Sequence, residues 1–241
     1  MKEEIYAKDK DIYMSIAEHL NELKVRIFLS IIAFLIITVV CLIYTKEITL
    51  ILQKPATGIK FLQLAPGEYL FVSIKISIYS AVILNSPFSI YQIFQFVLPG
   101  LTKKESSYIV PIITGSTTLF FIGILFSYTF LIPTTLKFLI SYGSELIEPI
   151  WSFDEYFNFI ILMMLGTGIC FQIPIIQILL GITNIINWQK MLNQWKYITF
   201  IGTIAGAIIT PSTDPITQIF MTITILVLYL SGIFILKIIN K

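Results

Sequence analysis

The sequence predicts an all-α, polytopic membrane protein with six transmembrane helices and both termini on the cytoplasmic side (stromal, in a plastid). Three observations predict it. Of the 241 residues, 56% are hydrophobic and only 12% are charged, where a soluble domain carries about a quarter charged residues, and mean hydropathy is +0.88. Six apolar runs, about 27–44, 71–98, 108–132, 156–180, 197–209 and 216–236, are separated by short polar connections; a hydrocarbon core of ~30 Å needs ~20 apolar residues per helix. Finally, eleven lysines and arginines fall on the side that carries both termini and five on the other, which orients the chain. The whole chain reads as one integral membrane domain.

Residues 1–14 are polar and read as a flexible N-terminus. Ser15 and Glu18 have capping-box spacing, and Ile16, Leu20, Leu23 and Ile27 then make one apolar stripe. Residues 15–26 are therefore expected to form an amphipathic helix on the cytoplasmic membrane surface, leading into span 1. Glu18, Glu22 and Arg26 share a second stripe, which reads either as a solvated face with a weak ion pair or as part of an anionic site. The first apolar run starts only at Ile27 and has no small-x-small motif after it, so a cleavable signal is not expected. Glu3, Glu4, Asp9 and Asp11 argue equally against a transit peptide.

Between spans 1 and 2, ITLILQ suggests a short helix ending at Pro55, and Ala65-Pro66-Gly67-Glu68 restarts helix formation. Pro87 should kink span 2, leaving neighbouring helices to satisfy the freed carbonyl. Pro99-Gly100 then turns the chain, and Thr102-Lys103-Lys104-Glu105 again has capping-box spacing. Glu105 is either the cap of span 3 or, with Glu22, half of an anionic site at the membrane surface; the two roles are compatible. Pro133 is expected to close span 3. Ser152 and Glu155 suggest the start of span 4, with Gln172 and Pro174 at mid-length. The fifth and sixth spans are short; at 1.5 Å per residue, 197–209 covers only ~20 Å. A tight turn, TPSTDP, joins them. Trp151, Trp188 and Trp195 all fall at expected interfaces.

No phosphate-binding glycine loop, dinucleotide fingerprint, HExxH or GxSxG motif is present, so an enzyme is not expected, nor a bound cofactor. One histidine and two cysteines buried in spans, Cys41 and Cys170, make no metal constellation. The mid-span polar groups are uncharged (Asn85, Gln92, Gln172, Gln177 and Gln218), which reads as interhelical glue rather than an ion pathway. A small-solute or ion transporter is the alternative reading. Isoleucine greatly outnumbers alanine, as in proteins of A/T-rich plastid or bacterial genomes.

The segments HLNEL (19–23), FVLPGLTKKE (96–105), FSYTFLIP (126–133), FQIP (171–174) and TPSTDPITQ (210–218) occur in this order across the six spans. With them the chain resembles the TatC family, the membrane receptor component of the twin-arginine protein translocase. The resemblance implies a receptor for twin-arginine signal peptides of folded precursors, handing them to single-span TatA/TatB-type subunits for export driven by the proton gradient. It places Glu22 and Glu105 in the family's signal-binding glutamate positions and Phe96 beside the second. Lys24 stands where the family usually has arginine. Gln172 stands where it often has glutamate, and Thr210, Gln218 and Gln172 fall where partner subunits bind. Pro55, Tyr128 and Asp214 match structural positions near the outer surface. The implied partners are signal peptides, the small subunits, the lipid bilayer and further copies of the chain, with no nucleic acid; the implied location is a thylakoid or bacterial cytoplasmic membrane.

Overall fold

The computed structural model describes residues 16–100, 102–143, 150–210 and 215–239. Among these residues, five helical segments are long and apolar enough to cross a membrane: Ala17–Ile43, Glu68–Gly100, Ile109–Tyr142, Phe153–Ile182 and Pro215–Ile239. A shorter apolar helix, Trp195–Ile209, precedes the last. These are the six expected passes.

The first is α1 (Ile16–Ile43), 28 residues without a break. The residues expected to lie on the surface as a separate helix are its first turns. At ~42 Å, α1 is longer than the hydrocarbon is thick, so those turns stand clear of the lipid core. A short α2 (Thr45–Gln53) follows, then a 3-10 turn over Lys54–Ala56 that contains Pro55.

The second pass, α3 (Glu68–Val97), runs antiparallel to α1. Two contacts fix the register, Arg26 against Gln92 and Ser30 against Asn85, and Thr45 at the start of α2 adds a third to α3 at Ser77. Pro87 lies inside α3 without ending it. The carbonyl it frees, that of Ile83, accepts a 2.7 Å bond from the Ser86 hydroxyl. The expectation that another helix must satisfy this group is corrected: the helix satisfies it itself.

After α4 (Lys103–Ser106), the third pass comprises α5 (Ile109–Phe126), a wide π-helical turn over Ser127–Leu131, and α6 (Ile132–Gly143). Pro133 does not close it. The Ile132 N–H donates to Ser127 O, five residues back. That widened turn removes the clash a proline ring makes in a regular helix, and the pass continues to Tyr142.

The fourth pass is the most enclosed. It consists of α7 (Phe153–Cys170) and α8 (Ile173–Ile182), broken at Phe171–Gln172, with Pro174 in the first turn of α8. Phe157, Ile160, Met163 and Thr167 are fully buried on it. A Cβ on Gly168 would lie 2.9 Å from Phe120, and one on Gly123 would lie 2.9 Å from Phe171, so paired glycines let α5 and α7 cross closely. A short α9 (Trp188–Asn193) leads to α10 (Trp195–Ile209), short as expected at 15 residues. The last helix, α11 (Pro215–Ile239), is longer than the expected 216–236 and has 25 residues.

The outer connections are tied together. Two three-residue strands, β1 (Lys60–Leu62) and β2 (Ile150–Ser152), pair in parallel, Phe61 opposite Trp151. At the α2 C-terminus, where helical donors run out, Ile51 O accepts from the Lys54 N–H and two side chains add further bonds. The hydroxyls of Tyr128 and Tyr156 donate to Ile51 O and Leu52 O, at 2.7 and 2.8 Å. Tyr128 and Pro55 thus serve the same helix end. Glu68 accepts from the Leu64 and Ala65 amides with one oxygen and from the Asp154 amide with the other. Lys75 reaches Asp154 at 2.6 Å.

Candidate functional site

At the end of the bundle where α1 begins and α3 ends, four side chains from two helices interlock. Glu22 and Arg26 lie one turn apart on α1, which puts them on one face. The Arg26 Nε donates to Glu22 Oε1 at 2.8 Å, and its Nη2 donates to the same oxygen. The remaining guanidinium nitrogen, Nη1, crosses to α3 and donates to Gln92 Oε1 at 3.2 Å. Glu22 Oε2 is buried and, among the described residues, has no hydrogen-bond partner; the His19 Nδ1 lies 3.8 Å from it. The side chains of Glu22 and Arg26 are 17% and 23% exposed, so their charges are partly withdrawn from water.

One turn earlier on α1, the His19 ring stacks on Phe96, with 4.2 Å between centroids and 14° between planes. Phe96 also lines a groove of about 600 Å³ between α1 and α3. The groove is apolar apart from a stripe of Arg26, Ser30, Asn85, Ser89 and Gln92. Asn85 is buried on that stripe; its amide nitrogen donates to Ser30 O and Ser89 Oγ, while its carbonyl oxygen has no hydrogen-bond partner among the described residues.

Glu105 lies beyond the end of α3, at the same end of the bundle as the start of α1. It closes a complete capping box: the Thr102 N–H donates to Glu105 Oε2 at 2.7 Å, and the Glu105 N–H donates to Thr102 Oγ1 at 3.5 Å. The bond from the Thr102 amide, then that from its hydroxyl, holds the Glu105 carboxyl below the usual range. Among the described residues, no hydrogen bond or ion pair joins Glu105 to the Glu22 cluster. Lys24 is exposed and lines a different hollow, with Leu20, Ile27, Phe28 and Ile31. It does not face Glu22.

The other expected residues lie elsewhere. Gln172 sits at the α7–α8 break and clasps α5: its Oε1 accepts from the Ser116 hydroxyl and its Nε2 donates to Ser116 O. Thr210 is 2% exposed and its hydroxyl donates to Gly206 O, so it is a packed helix end rather than surface. Gln218 is partly exposed, and its Nε2 donates to Thr203 O, joining α11 to α10. Asp214 lies outside the described residues. Of the mid-span amides read as glue, Gln177 departs: among the described residues neither of its polar atoms has a hydrogen-bond partner. The sequence reading also left His19 and Gln92 outside the site. Their partners are 77 and 66 residues away, which only the antiparallel register of α1 and α3 reveals.

Comparison with known proteins follows the same outline. Residues 18–223 match the family model described as Sec-independent protein translocase protein (TatC). A tatC-like protein of Gracilaria tenuistipitata var. liui is 62% identical over 228 residues, covering 95% of this chain and 96% of its own. The Sec-independent protein translocase protein TatC of Synechocystis is 48% identical over 231 residues, covering 96% and 91%. The chloroplastic TATC of Pisum sativum is 42% identical over 240 residues, covering 99% and 67%. A crystal structure of the twin-arginine translocase receptor TatC superposes with a TM-score of 0.82 at 35% identity, covering 93% of this chain and all of that one.

Proposed function

This chain belongs to the TatC family of the Sec-independent, twin-arginine protein translocase, and from that premise we propose that the Glu22–Phe96–Glu105 end is its receptor surface for twin-arginine signal peptides. The family is a translocase family, not one of enzymes, and works with other Tat subunits. Its chloroplastic and cyanobacterial members place this chain as an integral multi-pass protein of a thylakoid or bacterial membrane.

One observation carries the proposal: Glu22 Oε2 is an acceptor partly withdrawn from water and, among the described residues, without a hydrogen-bond partner, while its neighbours Arg26 and Phe96 line an apolar groove. A guanidinium donates two parallel bonds to a carboxylate, which an ammonium cannot reproduce. Two arginines then call for two carboxylates, and Glu105 supplies the second. Each charged hydrogen bond contributes ~1.5–3 kcal/mol where water is partly excluded. The apolar segment of the signal lies along the α1–α3 groove, and folded cargo stays outside the membrane. The α10–α11 face that carries Gln218 is the proposed surface for TatA/TatB-type single-span subunits; Thr210 supports it from within.

The test is photo-crosslinking in native membranes from a reactive residue placed at Phe96. A labelled precursor with paired arginines should give an adduct that a paired-lysine version does not. Equal yields from both would refute the assignment.

A further inference from the structure

We infer that Arg26 is an internal stand-in for the signal arginine: it holds Glu22 in the free receptor and is displaced, staying with Gln92, when an incoming guanidinium takes the carboxylate. This rests on the receptor reading above and adds a competitor to it.

The bonding pattern around Glu22 is lopsided. Two N–H groups of Arg26 crowd onto Oε1 while Oε2 has none. The favoured fork places one N–H on each oxygen. Arg26 does not achieve it here: it starts one turn further along the same helix, and its third nitrogen is committed to Gln92 across the helix interface. An arginine arriving from outside carries neither constraint and can bridge both oxygens. Ion pairs one turn apart on a helix are weak, so the resident contact is one that a well-placed fork can replace.

Gln92 makes the exchange feasible. It is 7% exposed, and its Oε1 already accepts from Arg26, so the displaced guanidinium keeps a partner instead of becoming an unpaired charge. The resident arginine also lowers the affinity of any incoming cation by the same factor. A lysine ammonium is a point charge that cannot span both carboxylate oxygens, so it gains less from Glu22 while facing the same competitor. Arg26 thereby sets a threshold that an arginine passes and a lysine does not.

The experiment uses the purified full-length chain in lipid nanodiscs and two synthetic signal peptides, one with paired arginines and one with lysine replacing an arginine. Arg26→Gln is expected to tighten the paired-arginine peptide roughly tenfold (about 1.4 kcal/mol) and the lysine-bearing peptide by a similar factor, because both displace the same resident group. Arg26→Lys, which keeps charge and stem without the fork, should fall between. Gln92→Leu should weaken binding when Arg26 is present and have no effect in the Arg26→Gln background. Unchanged or weaker binding in both Arg26 variants overturns the inference, as does an equal Gln92→Leu effect in both backgrounds. If the wild-type chain binds neither peptide, the receptor reading fails and takes this one with it; wild-type binding without the rise sinks this inference alone.

Discussion

The imidazole of His19 lies flat on the phenyl ring of Phe96, 4.2 Å between centroids, and so fastens the first turns of α1 to the last turn of α3. An aromatic pair of this kind contributes ~0.5–1.5 kcal/mol beyond its buried area. Freed of it, the α1 start would fray and Glu22 would lose its fixed place. His19→Leu should therefore weaken binding of a twin-arginine peptide by about two- to tenfold, the same range expressed as affinity. Hydrogen exchange at residues 19–23 should accelerate in parallel. Unaltered exchange together with unaltered affinity would contradict the fastening role.

Glu105 carries a pH dependence whose sign follows from its bonds. Its carboxyl is held below the usual range by the Thr102 amide and hydroxyl, so the folded value is depressed relative to the unfolded chain. The stability the box supplies is then complete above the ordinary glutamate pKa of ~4.3 and is lost as pH falls through the lowered folded value. Carboxyl NMR of the labelled protein should place the Glu105 midpoint below that of a free glutamate. Thr102→Val removes the hydroxyl and should move the midpoint part of the way back up. An unmoved midpoint would count against the bonding described.

How far the sequence foretold this fold differs from element to element. Hydropathy alone located six passes, because a bilayer demands long apolar runs. The Thr102–Glu105 box and the Ser152 start were readable because both partners lie within one helical turn. Proline effects were harder. Pro133 was expected to end a span, yet the turn before it widens to admit the ring. Pro87 was expected to need a neighbouring helix, yet Ser86 beside it serves. The pairing of β1 with β2 escaped notice because three-residue strands carry almost no periodicity and lie about 90 positions apart. At the site, both glutamates were found by resemblance, whereas the roles of His19 and Gln92 depend on interhelical register. Lys24 follows Glu22 by two residues and so faces another way on a helix.

The α8–α11 crossing should be intolerant of even one methyl group. A Cβ on Gly232 would fall 2.1 Å from Gln177 Oε1 and 2.9 Å from Pro174 Cα. The first can swing away; the second is backbone. Gly232→Ala should cost about 1–3 kcal/mol, the usual range for overpacking, read as a lower melting midpoint in detergent. Gln177→Ala added to it should recover only part. Full recovery would mean that backbone contact is unimportant there.

A comparable effect is expected where α3 passes Pro87. Ser86→Ala removes the donor to Ile83 O and leaves that carbonyl unpaired within the membrane. The cost should be about 1–3 kcal/mol of unfolding free energy. Ser86→Thr, which restores a hydroxyl, should recover most of it. Equal stability of all three proteins would show that another group serves the carbonyl.

The account stands or falls on two carboxylates at one end of the bundle selecting paired arginines. The most direct measurement is the affinity of the purified chain for a paired-arginine and a paired-lysine signal peptide, repeated with Glu22→Gln and Glu105→Gln. Wild type should prefer arginine by at least tenfold, on the order of one charged hydrogen bond. Each variant should lose most of that preference while keeping its helical content and melting behaviour. A preference that survives intact in both variants would contradict the central claim and return Glu22 to a helix-face ion pair and Glu105 to a cap.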